Sequence, residues 1–294
     1  MKQLREWKLA RRSLSLGERT LVMGILNVTP DSFSDGGRFS DLERALAHAE
    51  GMLAEGADII DIGGESTRPG GEPVSVEEEL RRVVPVIEES KKRVPHVLIS
   101  VDTTKSEVAR AALAAGAEIV NDISALRFDF HLADEAARAG AGLVLMHSRG
   151  TPATMHRLPP VADIFGEVTS SLRRSITMAE RRGVARESIA LDPGIGFGKS
   201  FEQNIELLAK LDQIVEAFPD FPMLVGTSRK SFIGRLLDDA PVEERLHGTM
   251  ATVTASILRR ADIVRVHDVR AAVETARVAD AIKAMMSDRL NQSG

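Results

Sequence analysis

The chain has no cysteine, no tyrosine and a single tryptophan, and aromatics make up only 4% of its 294 residues. Without cysteine there is no disulfide framework, no thiolate nucleophile and no Cys-ligated metal, which suits a reducing compartment and makes the cytoplasm the expected location. No apolar run reaches the roughly 18 residues that a spanning helix needs, so no membrane partner is expected. Residues 1–20 carry six lysines and arginines and lack the apolar stretch of a signal peptide. Positive charge is not in excess either. With 38 basic against 43 acidic residues and a net charge of -5, the chain has no electrostatic footprint for nucleic acid, and an anionic ligand must be gripped by a local cluster. Apolar residues at 43% and charged residues at 28% support a sizeable globular core.

What is present is a repeated joint. Eight short apolar runs, 20–26, 58–62, 96–101, 118–120, 142–146, 188–191, 222–225 and 262–266, each end in polar groups: Asn27, residues 63–68, Asp102, Asn121, His147, Asp192, residues 228–230 and His267. Helical patterns lie between them. Leu42, Ala45, Leu46, Ala49 and Leu53 share one stripe over residues 42–55, with Ser40 and Asp41 as start signals and Gly56 as the stop; residues 104–115 end similarly at Gly116. An echo, Ala57-Asp58, Ala117-Glu118 and Ala261-Asp262, marks three helix-to-strand joints.

Strands alternating with helices favour parallel pairing, and no linker divides the chain. The expected fold is α/β, one (β/α)8 TIM barrel, since about 250 residues make such a barrel. Residues 1–294 then form a single domain, with 1–20 as an N-terminal extension and the barrel over about 21–285. Residues 7–20, with Gly17 as the turn, are expected to form a hairpin closing the barrel bottom. Side chains just past the C-terminal strand ends converge on the open mouth, so residues distant in sequence become neighbours.

Two loops at that mouth have functional composition. Residues 27–38 include Phe33, Asp31 and Asp35, more than a plain turn needs; residues 63–71 combine glycines with Thr67, Arg68 and Pro69 and suit closure over an anion. Flexible connection is the bland alternative for both. Residues 193–200 end like a nucleotide P-loop, but Pro193 stands where the first glycine is required, which argues against ATP or GTP hydrolysis. Asp192 either accepts paired N–H groups from an amidine-like ring edge or caps a helix. Ser228-Arg229-Lys230-Ser231, between a strand and a helix, is either an anion site or a solvated face. Arg265 and His267 alternate onto one side of their strand, where both can reach one phosphate, with Arg68 opposite. Asp102 and Asn121 either read a ring or tie adjacent strands together.

Segments 27–37, 61–70, 100–103, 121–122, 191–199, 225–231 and 265–268, taken in order, resemble the dihydropteroate synthase family over roughly residues 21–281. The resemblance implies a transferase of folate biosynthesis that condenses 6-hydroxymethyl-7,8-dihydropterin diphosphate with 4-aminobenzoate, giving 7,8-dihydropteroate and pyrophosphate. It implies that Asp102, Asn121, Asp192 and Lys230 hold the pterin, lined by Met146 and Phe197. Asn27, Thr67, Arg68, Arg265 and His267 would take the pyrophosphate, with Mg2+ as cofactor between Asn27 and phosphate oxygens. Phe33, Pro69 and Ser231 would hold 4-aminobenzoate, where sulfonamides compete. Catalysis would fall to Asp35, Lys230, Arg265 and His267, with pyrophosphate leaving ahead of amine attack and Asp35 stabilising the cationic pterin methylene. A homodimer is also implied, with the 246–258 helix as part of its face or as core packing. Residues 148–150 and 126–130 depart from many relatives, the latter lacking a glycine often found there. A pterin-binding methyltransferase barrel and a non-catalytic pterin-binding paralogue are the alternative readings.

Overall fold

A computed structural model describes residues 5–29, 37–65 and 74–292. An antiparallel hairpin, β1 (Arg5–Lys8) and β2 (Ser13–Leu16), precedes eight strands: β3 (Leu21–Asn27), β4 (Ile59–Gly63), β5 (Ile99–Asp102), β6 (Ile119–Asp122), β7 (Gly142–Met146), β8 (Ile189–Asp192), β9 (Leu224–Val225) and β10 (Ile263–Val266). The eight lie in the order β8-β7-β6-β5-β4-β3-β10-β9, every neighbouring pair parallel. The ends meet where the Leu191 N–H donates to the Pro222 carbonyl at 2.8 Å and Leu191 bridges Met223. This is the expected TIM barrel, though the 222–225 run contributes only the two residues of β9.

Around it run α1 (Gly37–Ala54), α2 (Val76–Arg93), α3 (Ser106–Ala115), α4 (Leu132–Ala139), α5 (Ile164–Arg181), α6 (Phe201–Ala209), α7 (Leu211–Ala217), α8 (Ser231–Leu236), α9 (Leu246–Leu258) and α10 (Val269–Gln292). The stripe on α1 is buried at Ala45, Leu46 and Ala49, joined by Met52. The helix is already formed at Gly37, earlier than expected, so Ser40 and Asp41 lie within it and not ahead of its start. Likewise α3 starts at Ser106, whose N–H is satisfied by the Asp129 carboxylate at 2.8 Å from another segment, a cap no local pattern announces. Gly116 ends α3 as expected, in the left-handed region at φ 119°.

Strand alternation sorts the barrel's side chains. Val22, Leu26, Ile60, Ile62, Ile99, Val101, Val120, Leu143, Leu145, Leu191, Val264 and Val266 face outward into one apolar cluster with the helices. Leu21, Met23, Ile59, Leu98, Ile119, Val144, Ala190, Leu224 and Ile263 face inward near the strand starts, packed on Trp7, Leu9 and Leu16 of the hairpin. Above that plug the inward positions turn polar. Asp61 and Ser100 share one rung, and Asn27, Gly63, Asp102 and Asn121 share the next.

The hairpin closes the bottom, but its turn falls at residues 9–12, with the Leu9 N–H on the Arg12 carbonyl at 2.8 Å. Gly17, expected as the turn, follows the hairpin at φ 102° and leads into β3. The physical reason is alternation: only this register points Trp7, Leu9 and Leu16 together into the barrel. The Trp7 indole N–H donates to the Ser188 carbonyl at 2.8 Å. The echoed carboxylates anchor the basic N-terminal segment, Arg5 to Asp262 at 2.8 Å, Arg12 to Glu118 at 2.8 Å and Arg19 to Asp58 at 2.5 Å.

Candidate active site

The polar inner rungs form a connected network. From β10, the Arg265 Nε donates to Asp61 Oδ2 at 2.6 Å and its Nη2 to Asp102 Oδ2 at 2.6 Å; Asn121 Nδ2 donates to the same Asp61 oxygen at 3.0 Å. Burial pushes the Asp102 carboxyl up to about 7; Arg265 opposes the rise and Asp61 adds to it. Burial also works against the Arg265 charge, yet Asp61 and Asp102 hold its pKa above the usual guanidinium value. Asp61 was not among the expected site residues. It is fully buried two residues inside β4, and the same alternation that turns Gly63 inward could have found it.

A second group gathers beside the first. Asp192 ends β8 in register with Met146 of β7, and both are buried. The Gly194 N–H donates to Asp192 Oδ1 at 2.6 Å. Burial raises the Asp192 pKa, against the pull of Lys230, that N–H, Lys199 and Arg265. The Lys230 ammonium donates to the Ile195 carbonyl and lies 4.7 Å from the centre of the Phe197 ring. Burial lowers Lys230 to about 8, with Asp192 pulling the other way and Arg265 adding to the fall. Asp102, Asn121, Asp192, Met146, Phe197 and Lys230, expected together from the sequence, are brought together with Arg265.

The turn after β9 explains the roles within 228–231. Arg229 is left-handed at φ 59°, with its guanidinium on Asp268 at 2.6 Å and its N–H on the Thr249 hydroxyl at 3.0 Å. Its guanidinium and its N–H are thus both taken up within the fold. The Ser228 hydroxyl meets His267 Nδ1 at 2.9 Å and accepts the His267 N–H at 3.1 Å, fixing that ring. Ser231 is the exposed first residue of α8. Two carboxylates clamp Arg265 through Nε and Nη2, and its remaining N–H donors have no partner among the described residues.

Residues 193–200 are not a phosphate cradle. Lys199 folds back to donate to the carbonyls of His147 at 3.2 Å, Gly194 at 2.6 Å and Phe197 at 3.2 Å, and Ser200 forms a capping box with Gln203 at the start of α6. His147, at the end of β7, is buried and pushed down to about 2, first by burial and then by Lys199 and three arginines, so it stays neutral. Asp122 faces away from the network and accepts from the Ser124 N–H and hydroxyl, both at 2.7 Å, and from the Leu126 N–H at 2.5 Å. That turn holds Ala125 and Leu126 in the left-handed region at φ 49° and 67°, a conformation that glycine adopts at less cost.

Asn27, half-buried at the end of β3, has a side-chain amide with no partner among the described residues, and no cluster of three or more His, Cys, Asp or Glu in them could hold a metal. Phe33, Asp35, Thr67, Arg68 and Pro69 lie outside the described residues. The base of the second loop is firm: Arg82 donates to the Gly64 carbonyl at 2.7 Å, and Lys105 bridges Glu65 and Glu79. Among the described residues, no helix is long and apolar enough to cross a membrane.

Known proteins share this sequence and fold. A family model described as "Pterin binding enzyme" matches residues 23–267. The dihydropteroate synthase of Synechocystis sp. is 51% identical over 90% of this chain and 91% of its own. The Xanthomonas albilineans dihydropteroate synthase, solved in complex with 7,8-dihydropteroate, is 43% identical with a TM-score of 0.83, covering 94% of this chain and 99% of its own. The Yersinia pestis enzyme, solved as a sulfonamide drug complex, is 42% identical with a TM-score of 0.87, covering 95% and 99%. A family model matched over residues 23–267 and identity at this level over nearly the whole chain make it a member of the pterin-binding enzyme family and, within it, of the dihydropteroate synthases.

Proposed function

We propose that the chain condenses 6-hydroxymethyl-7,8-dihydropterin diphosphate with 4-aminobenzoate, releasing pyrophosphate and 7,8-dihydropteroate. The observation that carries this reading is the gathering of Asp102, Asn121, Asp192 and Lys230 around Arg265 and Asp61 at the C-terminal ends of the strands. A pterin edge offers adjacent ring and amino N–H groups, which suit a carboxylate, and ring acceptors, which suit an ammonium and an amide. Asp192 takes the N–H pair, Lys230 donates to a ring acceptor, and Met146 and Phe197 line the slot.

In this reading the diphosphate lies towards Asn27, Arg265 and His267, with Thr67 and Arg68 of the second loop completing the grip. The C–O bond to the pterin methylene breaks with its electron pair going to the diphosphate oxygen. The arylamine nitrogen then attacks the cationic methylene, held by Asp35, and loses a proton. No covalent link to the protein is needed. Each fixed donor aimed at the departing charge contributes on the order of 3 kcal/mol. Mg2+ fits this site as an ion with few protein ligands: the Asn27 amide, which has no partner among the described residues, would supply one oxygen. Bound there, it would neutralise diphosphate charge. The aminobenzoate ring sits against Phe33 and Pro69 with its carboxylate at Ser231, and sulfonamides compete for that position.

A methyltransferase barrel has no use for the ordered 228–231 turn, which disfavours that alternative. Asp192→Ala removes two charge-assisted bonds of about 1.5–3 kcal/mol each, so pterin affinity should fall about a hundredfold or more by calorimetry; undiminished affinity would remove the anchor and this reading with it.

The cytoplasm and a homodimer complete the reading. The absence of cysteine supports the first. For the second, α9 packs its buried Thr249, Val253 and Ser256 side inward, whereas α10 leaves Val278, Ile282, Met285 and Met286 exposed along one side, 47% or more each. Light scattering should give twice the 31.9 kDa chain mass, and a mass of 31.9 kDa at micromolar concentration would contradict it.

A further inference from the structure

We propose that Lys199 is a positioning residue for pterin recognition: its ammonium gathers the carbonyls of His147, Gly194 and Phe197 and thereby sets Asp192 and Phe197 in the pocket. The inference rests on the pterin reading of Asp192 and Lys230.

The residues between Asp192 and Ser200 have little regular structure of their own, yet they place three site contacts. Gly194, Gly196 and Gly198 all take left-handed conformations, φ 67°, 87° and 69°, so the segment coils tightly and its carbonyls turn inward. One ammonium then holds two of the coil's carbonyls, Gly194 at 2.6 Å and Phe197 at 3.2 Å, together with the His147 carbonyl beside them at 3.2 Å.

Each acceptor also belongs to the site. Gly194 receives Lys199 on its carbonyl and gives its N–H to the Asp192 carboxylate at 2.6 Å, so one residue transmits the position of the lysine to the carboxylate. Phe197 receives Lys199 on its carbonyl, and its ring lies 4.7 Å from the Lys230 ammonium. His147 receives Lys199 on its carbonyl and gives its N–H to the Asp192 carbonyl at 2.9 Å, which ties the ends of β7 and β8 to the same cation. The coil tolerates no slack: a Cβ on Gly194 would run into the His147 carbonyl, and one on Gly196 would stand 2.7 Å from Lys230 Cδ. Lys199 also sends positive charge towards Asp192, as do Lys230 and Arg265. It touches no substrate in this arrangement. It acts through the groups that do.

The test is Lys199→Met in the full chain, which keeps the length of the side chain and removes its donors, with Lys199→Gln as a variant that keeps part of them. KM for the pterin diphosphate should rise about tenfold or more in Lys199→Met and by less in Lys199→Gln. KM for 4-aminobenzoate should not change, and the pterin dissociation constant should follow the pterin KM. A merely structural lysine would weaken both substrates together or lower stability alone, and either result overturns the proposal, as does unchanged pterin affinity in a folded variant. If Lys199→Met does not fold, Lys199→Gln decides by the same criteria. Asp192→Asn serves as the control. Retained pterin affinity in Asp192→Asn means the pterin reading has failed; loss there with none at Lys199 means only this inference has failed.

Discussion

Lys230 is the residue whose environment most directly sets a measurable property. Burial brings its pKa from 10.5 to about 8, with Asp192 resisting. It is charged at neutral pH and loses its proton as pH rises through that value, weakening its attraction for a ring acceptor. Asp192 works in the opposite sense. Burial raises its pKa, so protonation sets in above the usual carboxylate range as pH falls, and the acceptor for the pterin N–H pair is lost. Pterin affinity measured against pH should therefore fall on both sides, with the alkaline fall near 8 absent in Lys230→Met. A flat alkaline side in the native chain would contradict this. At this scale most of the pocket was legible, because a polar residue ending an apolar run is easily seen. Asp61 was not, since it interrupts the run two residues earlier and owes its role to Arg265, which lies 204 positions away. Nor was the clamping of Arg265 by two carboxylates, which depends on which side chains share a rung.

The hairpin and the helix-to-strand joints illustrate what is decided at the level of elements. The repeated Ala-acid pairs were readable as joints, and their alanine N–H groups do close the preceding helices, on the carbonyls of Met52, Ala112 and Ser256 at 2.9, 3.0 and 2.9 Å. That each acid would take an arginine from the first twenty residues was not readable, because the pairing is fixed only when the hairpin docks. Arg5 and Asp262 form the most enclosed of these pairs, with side chains 14% and 4% exposed. Arg5→Ala strands a buried carboxylate and should cost about 3 kcal/mol, read by chemical denaturation. Pterin affinity should not change, since the hairpin lies at the opposite end of the barrel from the mouth. A loss of affinity with unchanged stability would show that the hairpin acts on the site directly. The hairpin turn was not legible because the local turn signal at Gly17 yielded to the burial of Trp7, Leu9 and Leu16.

For the molecule as a whole, one polar layer above an apolar plug explains how a chain of net charge -5 can handle an anionic substrate. The long-range field contributes little to attraction; in the proposed reading the grip comes from Arg265 and His267, placed by two carboxylates and a hydroxyl. The barrel was legible because its strands are apolar on the outward face throughout and on the inward face below the site, so each reads as a continuous run. The roles proposed for the two long loops rest on family resemblance alone, and Phe33, Asp35, Thr67, Arg68 and Pro69 lie outside the described residues. The measurement that bears most directly on the whole account is mass detection of dihydropteroate, with pyrophosphate release, from purified protein given the pterin diphosphate and Mg2+ with and without 4-aminobenzoate. Dihydropteroate that forms only when both substrates are present is the predicted result. Binding of both substrates with no product would contradict it and assign the barrel to a silent pterin-binding paralogue.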